Sequence, residues 1–260
     1  MGRMPQTSEK PLVSVVTATF NALEGLKATV QSVAEQTAAS VEHIIIDGAS
    51  HDGTREYLES LGGQVRWISE PDEGIADAMN KGIAMARGEW ILILQAEDRF
   101  ASVENLQKLL PALGQHYDIV ACDVALLRQG GVVERRRARP LGLLTEFKMT
   151  NPHQGMLCRR NVYEKIGVFD PSFRIAMDYE FLLRAKRAGA RLSVVPEILA
   201  EMPATGVSTL TDWPAMSLRL NEDRRLQRQH ALTWLRRLRT ELFWLIYMPF
   251  KRMKCTLSNA

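Results

Sequence analysis

The chain has 260 residues, enough for one large α/β domain with an appendage, and its 46% apolar and 24% charged content exclude a disordered or fibrous protein. Three cysteines, Cys122, Cys158 and Cys255, stand far apart, so no CxxC zinc site is expected and a reducing, cytoplasmic setting is. The net charge of +3 is unevenly spread: residues 224–254 carry nine Lys or Arg against one acid, Glu241, leaving an acidic body with a basic tail.

The first ten residues read as a flexible polar lead without a signal-peptide pattern. No stretch reaches the ~20 apolar residues that a spanning helix needs. Residues 12–19 (LVSVVTAT) are apolar and β-rich, and 23–36 have helical spacing through Leu26, Val30 and Val33. A second strand is expected at 41–47 (VEHIIID), then a Gly, Ser and Asp loop at 48–53. A short helix over 54–61, a strand over 65–69 and a helix over 75–86 follow. Residues 90–94 are apolar on both faces, as in a central strand. Beyond Phe100 the alternation weakens: a strand over 117–127, a Gly130-Gly131 turn, a charge run at 134–139, a strand at GMLCRR, a helix over 178–188 and a short strand over 191–195. From Asp212 the pattern is helical and basic.

Strands alternating with helices imply a Rossmann-like, mostly parallel sheet flanked by helices. Ligands of such sheets bind beyond the carboxyl ends of the strands. Three loops meet that rule, at 17–21, 47–52 and 95–100.

These loops and two later segments carry the candidate chemistry. The 90–94 strand runs into Gln95-Ala96-Glu97-Asp98. Two adjacent acids at a binding edge repel, and a divalent cation resolves the conflict; a solvated acidic turn is the plainer reading. Asp47 ends its strand and either accepts hydrogen bonds from a ligand or closes an Asx-turn. Asn80 and Lys81 lie on a helix expected to flank the cleft, with Lys81 either pairing a phosphate or simply exposed. Asp178 stands at a helix start, where an N-cap is the plain alternative, and Glu180 points to another face.

Together these segments resemble the family 2 glycosyltransferases of the bacterial cell-surface polysaccharide branch, over residues 12–201. PLVSVVTATFNA is similar to the family's first strand and IIIDGASHDGT to its nucleotide-binding loop. SEPDEGIADAMNKGIAMARGEWILILQAEDRF resembles the donor-side helix and metal motif, and NPHQGMLCRRNVYEKIGVFDPSFRIAMDYEFLLR the acceptor-side segment. The resemblance implies a GT-A fold, with a catalytic domain over 11–211. Its nucleotide-sugar-binding half would be 11–100, its acceptor half 101–211, and 212–260 a basic amphipathic helical tail. It implies that Thr17, Asn21, Asp47, Ser50, Asp52, Asn80, Lys81 and Glu97 bind the nucleotide sugar. Asp98 would hold Mg²⁺ or Mn²⁺, His153 and Gln154 would face the acceptor, and Asp178 would be the general base. His153 reads equally as a satisfied structural histidine. Glu97 departs from the usual first Asp of the metal motif, and Met177-Asp178 replaces the usual Glu-Asp pair. No Q-x-x-R-W motif is present, so a single addition is expected rather than a polymerase.

The implied activity is an inverting transfer of one sugar from a UDP- or GDP-type donor to an acceptor hydroxyl, on a lipid-linked or oligosaccharide intermediate. The alternative is a nucleotidyltransferase acting on a sugar phosphate, although ATFNALEG lacks the expected Gly-rich basic loop. No nucleic-acid partner is expected, because the body is acidic. In the tail, Trp234, Leu235, Leu238, Leu242, Leu245 and Ile246 recur at helical spacing with Arg236, Arg237 and Arg239 largely opposite. That pattern suits a helix lying in a membrane interface, which would make the protein peripheral on the cytoplasmic face of the inner membrane. A helix docked on the catalytic domain, or a dimer contact, would show the same pattern.

Overall fold

Strand β1 (Val13–Thr19) is buried along its whole length. It pairs in parallel with β2 (Val41–Asp47) on one side and β4 (Trp90–Ile93) on the other, while β2 pairs with β3 (Arg66–Ser69). Ser14, inside this apolar run, donates to Glu42 at 2.6 Å and accepts from the Gly88 N–H at 2.8 Å, so its hydroxyl is satisfied. The protein is described by a computed structural model over residues 10–37, 40–114, 116–204 and 212–258.

The crossovers are helical, as parallel pairing demands. Helix α1 (Leu23–Ala34) packs Leu26 and Val30 with Ile45 on one face of the sheet, alongside Leu58 of α2 (Thr54–Ser60). Helix α3 (Ile75–Met85) packs Met79 and Ile83 with Val16, Ile44 and Ile46 on the other. Apolar positions on both faces of β1, β2 and β4 are thereby covered.

The second half extends the sheet with antiparallel strands. Its elements are β5 (Arg99–Phe100), α4 (Asn105–Leu113), β6 (Ile119–Leu127), β7 (Val133–Arg136), β8 (Met156–Arg159), α5 (Arg160–Ile166), α6 (Met177–Arg187) and β9 (Leu192–Pro203). The sheet order is β3-β2-β1-β4-β8-β6-β9-β5, with β7 beside β6. Strand β8 is antiparallel to both β4 and β6, whereas β9 runs parallel to β6. The short strand expected over 191–195 is in fact twelve residues long. Pro196, which cannot donate to a ladder, falls where the register jumps: Cys122 pairs with Val195 and Asp123 with Ile198. The irregularity absorbs the proline and the strand resumes.

Two helices close the chain, α7 (Trp213–Gln229) and α8 (Trp234–Ser258). Asp212 caps α7 by accepting from the Ala215 N–H at 3.0 Å. Leu226 of α7 is fully buried in the main core. Glu241 of α8 accepts from Arg224 and Arg228 of α7. The two faces of α8 differ: Trp244 is buried against Met216 and Leu220, with Phe243 and Tyr247 packed beside it. The stripe read from the sequence, Trp234 to Ile246, is the outward face, with Leu245 and Ile246 each 72% exposed. Among the described residues no helix is long and apolar enough to cross a membrane.

Candidate active site

Three residues other than glycine have positive φ among the described residues: Asn21 at 49°, Ala49 at 61° and Glu97 at 80°. They lie just beyond the carboxyl ends of β1, β2 and β4, in the three loops that face ligand in such a sheet. Strain gathered there is held in place by surrounding bonds.

The first two loops are laced together. The Asn21 N–H donates to Ser50 Oγ at 2.8 Å, and Asn21 Oδ1 accepts from the His51 N–H at 2.9 Å. Asp47 has no exposed surface. Its carboxylate accepts from the hydroxyls of Ser50 and Ser69, the latter at 2.6 Å. Asp52 accepts from the Thr54 hydroxyl at 2.6 Å and the Leu23 N–H at 2.9 Å, tying the starts of α1 and α2. The Thr54 hydrogen bond leads the effects that hold its carboxyl below the usual value. Thr17 is also fully buried, and its hydroxyl meets His43 Nε2 at 2.9 Å. Burial pushes His43 down to about 3, so that ring stays neutral. Thr17, Asn21, Asp47, Ser50 and Asp52 thus brace the first two loops against each other, with Thr17 and Asp47 fully buried, and none of the five lines the cleft that holds Asp98 and Asp178.

Asn80 and Lys81 were expected to reach a nucleotide, and both are engaged elsewhere. The Asn80 side chain accepts from the Phe169 N–H at 3.0 Å and donates to the Phe169 carbonyl at 2.8 Å, which exhausts its geometry as a clamp. Lys81 bonds Glu70 at 2.8 Å and the Pro71 carbonyl at 3.0 Å, and the Glu70 hydrogen bond leads the effects raising its pKa. A residue overlooked in the sequence is Phe20, 62% exposed one position past β1, beside Gly48. An aromatic immediately after a buried strand was the available signal, and its ring offers a stacking face.

The third loop holds the acids. Asp98 is 4% exposed and accepts from the Gln95 N–H at 3.1 Å. Burial pushes its carboxyl up to about 6, opposed by the nearby His153 and a hydrogen bond from Gln154. Glu97 is exposed and leans on α1. A Cβ at Gly25 would fall 2.3 Å from Glu97 Cγ and 3.0 Å from its backbone nitrogen, so only glycine allows this approach.

The residues expected on the acceptor side meet this loop. His153 and Gln154 sit in a tight turn, His153–Gly155, that precedes β8. A Cβ on Gly155 would lie 2.5 Å from the Cys122 carbonyl, so the turn can press onto β6 only with glycine there. His153 Nδ1 stands 3.4 Å from Asp178 Oδ2, and its Nε2 is buried without a hydrogen-bond partner. The turn therefore reaches both acids: His153 meets Asp178 in the first turn of α6, and Gln154 bonds Asp98. Glu180 points away, as its spacing requires, and is buried against Arg184 and His230 at 2.8 Å each.

Asp98, His153, Gln154 and Asp178 line one cleft of about 1240 Å³. Pockets for a single small ligand run to roughly 1,000 Å³, so this cleft is roomy for one. Asp223, from α7, joins them. Burial pushes its carboxyl up to about 7, with Asp178 and Glu222 adding to the rise and Arg219 opposing it. The sequence reading treated α7 as tail and missed this acid.

Among the described residues no three His, Cys, Asp or Glu side chains converge as a closed metal cage. The donor set offered is one buried carboxylate, Asp98, with Glu97 exposed next to it. That fits a hard cation such as Mg²⁺ or Mn²⁺, which takes one or two carboxylates and completes its shell with phosphate oxygens and water.

Comparison with known proteins agrees with this geometry. The family model described as glycosyl transferase family 2 matches residues 14–178. An uncharacterised glycosyltransferase of Mycobacterium tuberculosis is 36% identical over 204 residues, 76% of this chain and 78% of that protein. A PGL/p-HBAD biosynthesis glycosyltransferase of Mycobacterium bovis is 31% identical over 67% of this chain and 69% of its own. The putative teichuronic acid biosynthesis glycosyltransferase TuaG of Bacillus subtilis is 28% identical over 88% and 94%. Among solved structures, S. aureus TarS with UDP superposes with a TM-score of 0.66 at 18% identity, covering 85% of this chain and 65% of that one. The Pyrobaculum calidifontis mannosyltransferase PcManGT with GDP-Man and Mn²⁺ gives 0.68 at 18%, covering 98% and 75%. Those two likenesses show the GT-A fold. From the family match over most of the sheet and the Mycobacterium relative, the chain belongs to glycosyl transferase family 2.

Proposed function

We propose that this glycosyltransferase moves one sugar, with inversion, from a nucleoside diphosphate donor to an acceptor hydroxyl in the synthesis of a bacterial surface polysaccharide or glycolipid. The observation that carries this reading is the His153–Gln154 turn, whose two side chains meet Asp178 and the buried Asp98 in one cleft. The names of the relatives support the pathway, and the UDP and GDP-Man complexes of the structural neighbours support the donor class.

Phe20 would stack on the base beside the Asn21–Ser50 rim, while the diphosphate would lie toward Asp98. A divalent cation held by Asp98 would neutralise charge on the departing diphosphate. Asp178 would take the proton of the acceptor hydroxyl as its oxygen bonds to the anomeric carbon and the bond to the nucleoside diphosphate breaks. Such a positioned base contributes ~10²–10⁴-fold. Asp178 Oδ1 accepts from the Tyr179 N–H at 2.7 Å, which leaves Oδ2, beside His153, as the oxygen for the proton. The lack of a Q-x-x-R-W motif supports single addition. Family membership sets the nucleotidyltransferase alternative aside.

The outward stripe of α8 supports a peripheral membrane attachment, with Arg236, Arg237 and Arg252 nearby to meet anionic lipid. The reading is tested by following donor hydrolysis and nucleotide thermal shifts with Mn²⁺ or Mg²⁺. Asp178→Asn should lose turnover and keep nucleotide binding, whereas Asp98→Ala should lose metal-dependent nucleotide binding as well. Full activity in chelator, or equal loss of nucleotide affinity in Asp178→Asn, would refute these assignments.

A further inference from the structure

Charge is unevenly distributed around the cleft. Asp98 and Glu97 mark the donor wall. Besides Asp223 and the arginines at 135–137 and 139, the same cleft is lined by Lys148, Arg219, Lys251 and Lys254, drawn from the loop before β8, from α7 and from α8. They are close enough to act on one another. Burial, then the charges of Arg219, Lys254 and Lys148, hold the Lys251 ammonium below its usual value.

Neither Lys148 nor Lys251 has an acidic partner among the described residues. Lys251 lies over the Tyr247 ring, 5.6 Å from its centroid. Glu146, the nearest acid in sequence to Lys148, is engaged by Lys186, Arg187 and Arg239. The placement of Lys148 is fixed rather than incidental. The preceding Phe147 carbonyl accepts from Gln227 at 2.9 Å, and the Phe147 ring packs on Phe243 at 4.9 Å. Cations assembled from three segments along one concave cleft, Arg219 and Lys251 of them half-buried, repel one another, and a bound anion offsets that repulsion.

We infer that Lys148, Arg219, Lys251 and Lys254 form a phosphate subsite for the acceptor, so that the acceptor carries a phosphate or diphosphate near its attacking hydroxyl. This rests on the glycosyl-transfer reading above and adds the substrate's charge to it. The donor diphosphate is assigned to the loop at Asp98. The basic wall adjoins the base instead: Asp223 feels both Asp178 and Arg219. Lysine ammonium groups suit phosphate as point charges. The helix that supplies Lys251 and Lys254 also presents Leu245 and Ile246 on its outer face. An acceptor whose phosphate adjoins a hydrocarbon chain meets both features.

The test measures binding of farnesyl diphosphate to the full chain in EDTA, which silences metal-dependent donor binding. Wild type should bind it, with farnesol at least tenfold weaker. Lys148→Ala/Lys251→Ala, or the milder Lys148→Gln/Lys251→Gln, should weaken it at least tenfold while keeping the wild-type melting temperature and metal-dependent nucleotide binding. Asp98→Asn should leave it unchanged, and UDP or GDP should not displace the probe. Loss in Asp98→Asn, or displacement by nucleotide, would assign the anion to the donor site and overturn the inference. Equal binding of farnesol would also overturn it. So would a double variant that binds the probe normally but loses phosphatidylglycerol vesicles, because the cations would then serve the membrane surface. Nucleotide binding without probe binding defeats the subsite alone, whereas absence of any nucleotide binding defeats the transferase reading beneath it.

Discussion

Glu222 of α7 caps the helix that carries the proposed base: its Oε2 accepts from the Ala176 N–H at 2.9 Å and the Ile175 N–H at 2.8 Å. Its Oε1 takes the Arg174 N–H at 3.0 Å. Ala176, the residue at the N-cap of α6, has no side chain that could do this itself. A carboxylate at a helix N-terminus also complements the dipole. Glu222→Ala should therefore cost about 2 kcal/mol, a fall in Tm of roughly 4–8 °C for a chain of this size. Turnover should drop at least tenfold as Asp178 loses its fixed position, with nucleotide affinity unchanged and Glu222→Gln intermediate. Thermal melts and kcat measured side by side check this; a Tm loss without a kcat loss would make Glu222 merely a brace.

Gly25 gives a prediction with the opposite pattern. In a helix interior Gly→Ala ordinarily gains about 1 kcal/mol. Here the new methyl meets Glu97 at its side chain and at its backbone nitrogen. Gly25→Ala should leave Tm nearly unchanged, because propensity and strain offset. Metal-dependent nucleotide binding should weaken about tenfold as the 95–98 loop is displaced. Calorimetric nucleotide titration is the check, and unaltered affinity would mean the loop yields freely.

Asp223 sets a pH dependence. Its carboxyl is raised to about 7 by burial, against an ordinary value of 3.8, so the folded state holds a proton there that the unfolded chain releases. Between those values stability falls as pH rises, and above about 7 the cost is fully present. Asp223→Asn should remove this slope. Since Asp223 is partly open to solvent, the gain at pH 8 should be about 1 kcal/mol, or 2–4 °C in Tm, with no gain at pH 4. Melts across pH 4–8 decide it; parallel curves would contradict the assignment.

The outer face of α8 makes the attachment reading measurable. Leu238, Leu245 and Ile246 are at least half exposed. Burying each such side chain contributes roughly 1.5–3 kcal/mol. Replacing all three by Gln should reduce co-sedimentation with phosphatidylglycerol vesicles at least tenfold and leave Tm within a few degrees. Vesicle binding that survives the triple change would point to a dimer contact on this face instead.

The first hundred residues were legible because β1, β4 and most of β2 are buried on both faces and the helices keep their apolar spacing. The boundaries observed there differ from the expected ones by two residues or fewer. Later elements hid behind local exceptions. Pro111 lies inside α4, and Pro196 interrupts β9. Strand β7 reads Val-Glu-Arg-Arg and is mostly exposed at the edge of the sheet, so its composition announces a charged loop. Asp98 and Asp178, which line one cleft, were legible as candidates because an acid follows a buried strand or opens a helix there. The sequence was misleading at Asn80, whose amide clamps the Phe169 backbone across 89 residues of sequence. It was silent at Glu222 and Asp223, because their partners are N–H groups and charges that only the fold brings near.

Gln227 joins three parts of the molecule. Its amide donates to the Phe147 carbonyl and to the Tyr179 hydroxyl, and its oxygen accepts from Trp244 Nε1 at 2.8 Å. One side chain thus fastens α8 to the lysine-bearing loop and to the helix of the proposed base. If α8 shifts as it settles on a surface, those bonds must either break or carry both attachments along. On the proposed attachment, anchoring and turnover would share a mechanical linkage, and the C-terminal helix would not act as a detachable tether.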